Sequence, residues 1–244
     1  MSVEIWSDVV CPWCYIGKRR FEAAVEQLRG EIDVDVVFRP YQLDPKANPG
    51  EPTPVIDGYA RKFGGLARAE QIIDHVTRTA EQEGLVFHMD RALRANTLLA
   101  HRLLWLAEAT GHQYALKERL LQAYFCDGLD VGSVAVLAEL AAEVGMPADR
   151  VLAFLHSDDG TEAVRQQLAL AADLEITAVP TFVIDGRWSI PGAQDPDTFA
   201  TVMRRLVERR TAESAVAPTP LAGANSDTRD DTCNDTCNDT VCDV

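Results

Sequence analysis

The sequence predicts an α/β fold in which a large helical insertion separates a βαβ half from a ββα half. Three stretches predict it. Cys11-Pro12-Trp13-Cys14 stands between an apolar strand-like run and a helix that opens at Pro12; about a hundred residues after Pro54 carry helical periodicity punctuated by glycine; and Asp185-Gly186 joins two β-rich runs. With 47% hydrophobic residues in 244, the chain can bury a core without cross-links.

Val3 to Ser7 reads as a short buried strand and Asp8 to Val10 as the loop that delivers Cys11. The helix after it has Pro12 in its first turn, Phe21, Ala24, Val25 and Leu28 on one face, and Gly30 as a stop. Val34, Val36 and Phe38 alternate with Asp33 and Asp35 in a second strand that Pro40 ends, and a parallel pair so joined needs a right-handed crossover. Pro40 to Pro54 reads as a loop without an element of its own. The helical stretch follows, with apolar faces before Gly84 (Ile72, Ile73, Val76, Ala80), Gly111 (Leu99, Leu103, Leu106, Ala107), Gly128 (Leu116, Leu120, Leu121, Tyr124) and Gly145 (Val134, Leu137, Leu140, Val144). A further helix spans Thr161 to about Leu174. The hairpin comes next, with Ala178 to Ile184 before Asp185-Gly186 and Arg187 to Ile190 after it. The last helix opens with Asp195 as cap and Pro196 in its first turn, buries Phe199, Val202, Met203 and Leu206, and closes at Glu208-Arg209-Arg210. This order describes a thioredoxin-type fold with helices inserted before the hairpin. The expected division is 1–64 with 175–210 as the thioredoxin-like domain, 65–174 as the inserted lobe, and 211–244 as a flexible acidic tail containing cysteines.

Two cysteines separated by two residues at a helix start carry chemistry. The first faces the unpaired N–H groups and positive end of the helix, which favour negative charge on sulfur. Cys11 is thus the candidate nucleophile. Cys14, one turn on and nearer the interior, is the candidate resolving thiol that attacks a mixed disulfide. The competing reading is half of a zinc site, but no second Cys or His pair stands at ligand spacing in the body, and no metal ligand is assigned. His75, His88, His101, His112 and His156 are scattered and read as solvent-facing or structurally hydrogen-bonded. Cys126, ending an apolar helix face, reads as a lone core-side thiol.

A formal charge of −15 argues against nucleic acid or an anionic membrane as partner, and no apolar run approaches membrane-spanning length. The N-terminal residues lack the basic and apolar regions of a signal peptide. The expectation is a cytoplasmic protein, monomeric or homodimeric, where a Cys-x-x-Cys pair is more often catalytic than structural.

Ser7-Asp8-Val9-Val10-Cys11-Pro12-Trp13-Cys14-Tyr15-Ile16-Gly17, Leu43-Asp44-Pro45, Asn96-Thr97 with Ala100-His101-Arg102-Leu103, and Val179-Pro180-Thr181-Phe182-Val183 resemble the DsbA-like thioredoxin family. Within it the chain resembles the FrnE-type branch, cytosolic relatives of the 2-hydroxychromene-2-carboxylate isomerases, over roughly residues 1 to 210. The resemblance implies Cys11 as attacking thiol, Cys14 as resolver, and a cis bond between Val179 and Pro180. By itself Pro180 marks a strand edge or turn, and an X–Pro bond is trans by default. If cis, Val179 presents its backbone beside Cys11, where an extended substrate can pair. Trp13 either stacks on substrate and shields the sulfur or packs on its own helix. The implied activity is disulfide exchange and isomerisation on disulfide-containing proteins or small thiols, with no resident cofactor and glutathione a candidate co-substrate. The rival is a glutathione-dependent small-molecule isomerase. That branch usually has serine at the first position, where this chain has Cys11.

Beyond Arg210 the apolar periodicity stops, and residues 211–244 carry a net of six negative charges. Thr232-Cys233-Asn234-Asp235 repeats as Thr236-Cys237-Asn238-Asp239, and Thr240-Val241-Cys242-Asp243 echoes both. Three readings stand. Cys237 and Cys242 form a second redox pair with Cys233 available for a mixed disulfide, on a tether whose span of roughly 30 Å reaches Cys11; the three thiols capture a soft metal; or the tail is inert.

Overall fold

The computed structural model describes residues 1–216. The main sheet has four strands in the order β2-β1-β5-β6, with β1 at Ser2–Ser7, β2 at Asp35–Pro40, β5 at Thr181–Ile184 and β6 at Trp188–Pro191. β1 and β2 run parallel, with Val3 opposite Val36 and Ile5 opposite Phe38, and α1 (Pro12–Gln27) connects them. β5 returns antiparallel to β1, and β6 antiparallel to β5. Asp185 and Gly186 both take positive φ, 47° and 65°, the twist that a tight hairpin requires.

Successive strand side chains point to opposite faces, so β1 feeds two cores. Val3 and Ile5 pack with Phe21, Ala24 and Leu28 of α1, Phe182 of β5, and Phe199 and Met203 of α9 (Pro196–Val216). Trp6, on the other face, packs with Val183, Ile176 and Ala171, the last from α8 (Thr161–Asp173). All four β5 residues are buried, as a central strand covered on both faces should be.

Between β2 and β5 run α2 (Val55–Phe63), α3 (Leu66–Gln82), α4 (Leu98–Ala109), α5 (Gln113–Gln122), α6 (Val134–Glu143) and α7 (Ala148–His156), then α8. Their core includes Leu103, Leu116, Leu120, Phe125, Leu137 and Leu140, and it takes in Val9, Tyr15 and Ile16. α1 therefore serves two hydrophobic cores, one through its first turns and one through the rest.

Several features depart from the sequence expectation. The loop from Pro40 ends in a two-residue strand, β3 (Thr53–Pro54), paired with β4 (Leu93–Arg94). Pro40 is the last residue of β2 rather than its stop. α5 continues into a π turn over Ala123–Asp127. α9 runs past Arg210 to Val216, because no glycine or proline interrupts it before Pro218. Met1–Leu206 form one compact unit.

Candidate active site

Cys11 is the N-cap residue of α1 and Pro12 fills its first position, where a missing N–H costs nothing. The sulfur does not cap the helix. It makes no hydrogen bond to the first-turn N–H groups and lies instead 3.6 Å from the carbonyl oxygen of Val179, toward which the thiol donates. The backbone closes the turn through Cys14 N–H donating to Cys11 O at 3.0 Å. Both residues are free thiols, each 3% exposed. Burial pushes the Cys14 thiol well up, and the adjoining Cys11 sulfur adds to the effect; Lys117 and the Asp8 backbone pull the other way.

The Val179–Pro180 bond is cis. Pro180 is held by its carbonyl, which accepts from Gly192 N–H at 2.8 Å, and it leans on α1 where the chain is thinnest: a Cβ at Gly17 would sit 2.9 Å from Pro180 Cγ. The β5 segment and α1 can meet closely because Gly17 carries no side chain. Thr181 Oγ1 donates to Ala178 O at 2.8 Å and fixes the bend. The structure thus brings Cys11, Cys14, Val179 and Pro180 together. Trp13 is 36% exposed and its ring meets His75 of α3 at 5.9 Å, so it stands at the mouth of the site rather than folded against its own helix alone. Cys233, Cys237 and Cys242 lie outside the described residues.

A cavity of about 830 Å³ opens in front of Cys11. Cys11, Trp13 and Val179 line one part of it, Tyr59, Arg61 and Lys62 of α2 another. Arg94 joins the lining with Asp44, to which it is paired at 2.6 Å. Tyr59 holds its phenol proton more tightly than usual, first through burial and then through the nearby Cys11 sulfur. Periodicity alone did not resolve α2, yet Pro54 before it and Gly64-Gly65 after it bracket a nine-residue helix in the sequence.

Behind the thiols lies Asp8, fully buried. Its carboxylate accepts from Val9 N–H at 2.8 Å and Leu43 N–H at 2.7 Å, and stands 3.2 Å from His101 Nε2. The same nitrogen is 3.0 Å from Tyr41 O. Both neighbours are acceptors, so Nε2 carries the proton. His101 is structural in the sense expected, tying the loops after β1 and β2 together. The Asp33 carbonyl accepts from the terminal amine of Met1 at 2.8 Å, at the far end of the strands. Cys126 is half-buried in the π turn, its thiol pushed up by burial.

The fold has counterparts among solved structures. The probable DsbA oxidoreductase SCO1869 from Streptomyces coelicolor superposes with a TM-score of 0.77 at 33% identity, over 93% of this chain and 94% of that one. Two more distant structures share the fold: 2-hydroxychromene-2-carboxylate isomerase, with a TM-score of 0.62 at 16% identity over 87% and 99% of the two chains, and the cytosolic disulfide reductase DsbM from Pseudomonas aeruginosa with GSH, at 0.58 and 21% over 85% and 100%. The family model of the DSBA-like thioredoxin domain matches residues 2–204, and the chain belongs to the DsbA-like thioredoxin family.

Proposed function

We propose that this protein is a cytoplasmic thiol–disulfide oxidoreductase, with disulfide isomerisation as a second use of the same site, acting on disulfide-containing proteins or small disulfides. The carrying observation is the pairing of Cys11, open to the cavity beside the Val179 carbonyl, with Cys14 packed behind it. The Cys11 thiolate attacks one sulfur of the substrate disulfide; that S–S bond breaks, a mixed disulfide forms, and the first substrate thiolate leaves and takes a proton from water. The Cys14 thiolate then attacks Cys11 Sγ, closes the Cys11–Cys14 disulfide and expels the second thiol. Two electrons pass from the dithiol to the substrate, and an external thiol such as glutathione restores it. For isomerisation the mixed disulfide is attacked by another thiol of the substrate, and Cys14 only rescues stalled intermediates. Val179 offers its backbone for an extended substrate to pair with, and Trp13 a ring at the cavity mouth.

Insulin disulfide reduction with glutathione or dithiothreitol as donor tests this. The wild type is expected to turn over, and Cys11→Ala to fall to the uncatalysed rate; equal rates in the two would sink the proposal. The second reading, glutathione-dependent isomerisation of a small molecule, draws on the cations Arg61, Lys62 and Arg94 around the cavity, which suit the carboxylates of glutathione, and on the GSH carried by the DsbM structure. It requires only one thiol. Cys14→Ser therefore separates the two, strongly slowing insulin disulfide reduction under the first and leaving most small-molecule isomerisation under the second. Cys233, Cys237 and Cys242 enter the proposal as a second redox centre, and removing residues 211–244 should then change the exchange rate at Cys11; an unchanged rate removes them.

A further inference from the structure

The chain has five tyrosines, and they divide by what their hydroxyls do. Tyr15 donates to Glu118 at 2.7 Å, Tyr41 to the Thr177 carbonyl at 3.3 Å, and Tyr114 to Glu22. Tyr59 and Tyr124 both line the cavity of about 830 Å³ in front of Cys11, and neither hydroxyl reaches an acceptor among the described residues. Tyr124 is 1% exposed, and a phenol so buried normally finds a partner. Here the partner has to come from within the cavity. Tyr59, on α2, is half-buried, and the ring of Phe63 meets it edge-on at 5.5 Å.

Cys11 has the complementary need. As a thiol it donates toward Val179 O at 3.6 Å. Once its proton has gone to water, that carbonyl is an acceptor facing an anion, and no first-turn N–H of α1 reaches the sulfur. The groups around it are few. From α1, Cys14 offers an S–H, a weak donor. Lys117 of α5, 1% exposed, lies within electrostatic reach of both thiols, and the Asp8 carboxylate is committed to Val9 and Leu43 N–H. Arg61 and Lys62 belong to the cavity lining, and Arg94 there is paired with Asp44. From α2, Tyr59 shares the cavity, and the Cys11 sulfur is the group whose charge bears on its phenol. Resting on the reading of Cys11 as the attacking thiol, we propose that Tyr59 is a catalytic residue whose hydroxyl donates a hydrogen bond to the Cys11 thiolate. The Cys11 thiol loses its proton to water, the sulfur turns from Val179 O to the Tyr59 O–H, and no covalent bond changes until the substrate disulfide is attacked. As that S–S bond breaks, the charge moves to the departing sulfur and the bond from Tyr59 lapses. Burial keeps the phenol protonated, so it stays a donor at alkaline pH. Such a bond raises the thiolate fraction about tenfold. It also calms the sulfur: nucleophilicity falls with basicity with a slope of about 0.5, so each thiolate reacts about threefold more slowly.

The test follows the rate at which Cys11 takes up an aromatic disulfide from acid to alkaline pH, read on the Cys11 peptide by mass spectrometry. It uses the full chain carrying Cys14→Ser, so that the mixed disulfide persists and the weak S–H donor is gone. Against that parent, adding Tyr59→Phe should slow uptake about threefold at the acid end, where the thiolate fraction governs, and quicken it about threefold at the alkaline end, where every molecule is thiolate. The two profiles therefore cross. A rate lowered by one factor at every pH would overturn the proposal, since Tyr59 would then only shape the cavity; so would coincident profiles. A 3-fluorotyrosine at position 59 keeps the ring and donates more strongly, so it should raise the acid-end rate above that of the parent. A rate equal to the parent's or below it overturns the proposal too. A parent in which Cys11 reacts no faster than the half-buried Cys126 defeats the reading of Cys11 as the attacking thiol, which keeps the two failures distinct.

Discussion

Gly17 shows how a single missing atom sets the spacing at the thiols. Its absent Cβ would meet Pro180 Cγ at 2.9 Å and Ala193 Cβ at 3.3 Å. Neither neighbour is the far end of a flexible side chain, so Gly17→Ala should cost about 1–3 kcal/mol in urea unfolding and should slow Cys11 by displacing Val179. A second residue-scale prediction concerns Lys117. Its folded value, about 8, lies below its unfolded value, so the unfolded chain binds more protons between them and stability rises as pH climbs from 8 toward 10.5. Measured from pH 7.5 to 9.5, before the tyrosines ionise, wild-type stability should gain on that of Lys117→Met; parallel curves would contradict the buried amine. At this scale the sequence showed the residues whose neighbours are local. Cys11, Cys14, Val179 and Pro180 stand in compact motifs. Asp8, His101 and Tyr59 depend on contacts across many tens of residues, as Asp8 to His101 across 93 does, and periodicity carries no trace of them. Lys117 did leave a mark. It shares a helical stripe with Leu120 and Leu121, three and four residues on, where a charged residue is out of place.

β2 is an edge strand, yet its middle is not open. Gln113, at the start of α5, accepts from Phe38 N–H at 2.9 Å and donates to Phe38 O at 3.0 Å, standing in for a neighbouring strand. Gln113→Leu removes both partners and leaves two buried backbone groups unpaired, so a loss of about 2–4 kcal/mol is expected from the cost of each; a thermal midpoint within a degree of wild type would show that water reaches them instead. The four strands of the main sheet and the long helices were legible because hydrophobic period and turn chemistry agree along each. β3 and β4, two residues apiece, offer no period to read. The π turn arises from packing: Gly128 ends it with φ of 71°, and a Cβ there would lie 2.7 Å from Arg91 Cβ, a contact no local pattern announces.

The molecule is bound together through α1. Tyr15 and Ile16 belong to the core of the helical segment, and Phe21, Ala24 and Leu28 to that of the sheet. The sequence expectation divides thioredoxin-like halves from an inserted lobe by their different periods, whereas Met1–Leu206 form one compact unit and α1 packs into both cores. Far-ultraviolet dichroism and tryptophan fluorescence should therefore report one coincident unfolding transition in denaturant; two resolved transitions would mean that the lobe holds together alone. Arg102 strengthens this unity by donating to the carbonyls of Phe154, Ser157 and Asp159, which anchors the turn between α7 and α8 on α4. The carbonyl beside Cys11 comes from Val179, 168 residues further along the chain. At translation rates of about 5–20 residues per second, the ribosome delivers the two cysteines on the order of ten to thirty seconds before the wall that completes their site. Through that interval the nascent chain carries an exposed dithiol without its groove, and conditions outside the fold decide whether those sulfurs stay reduced.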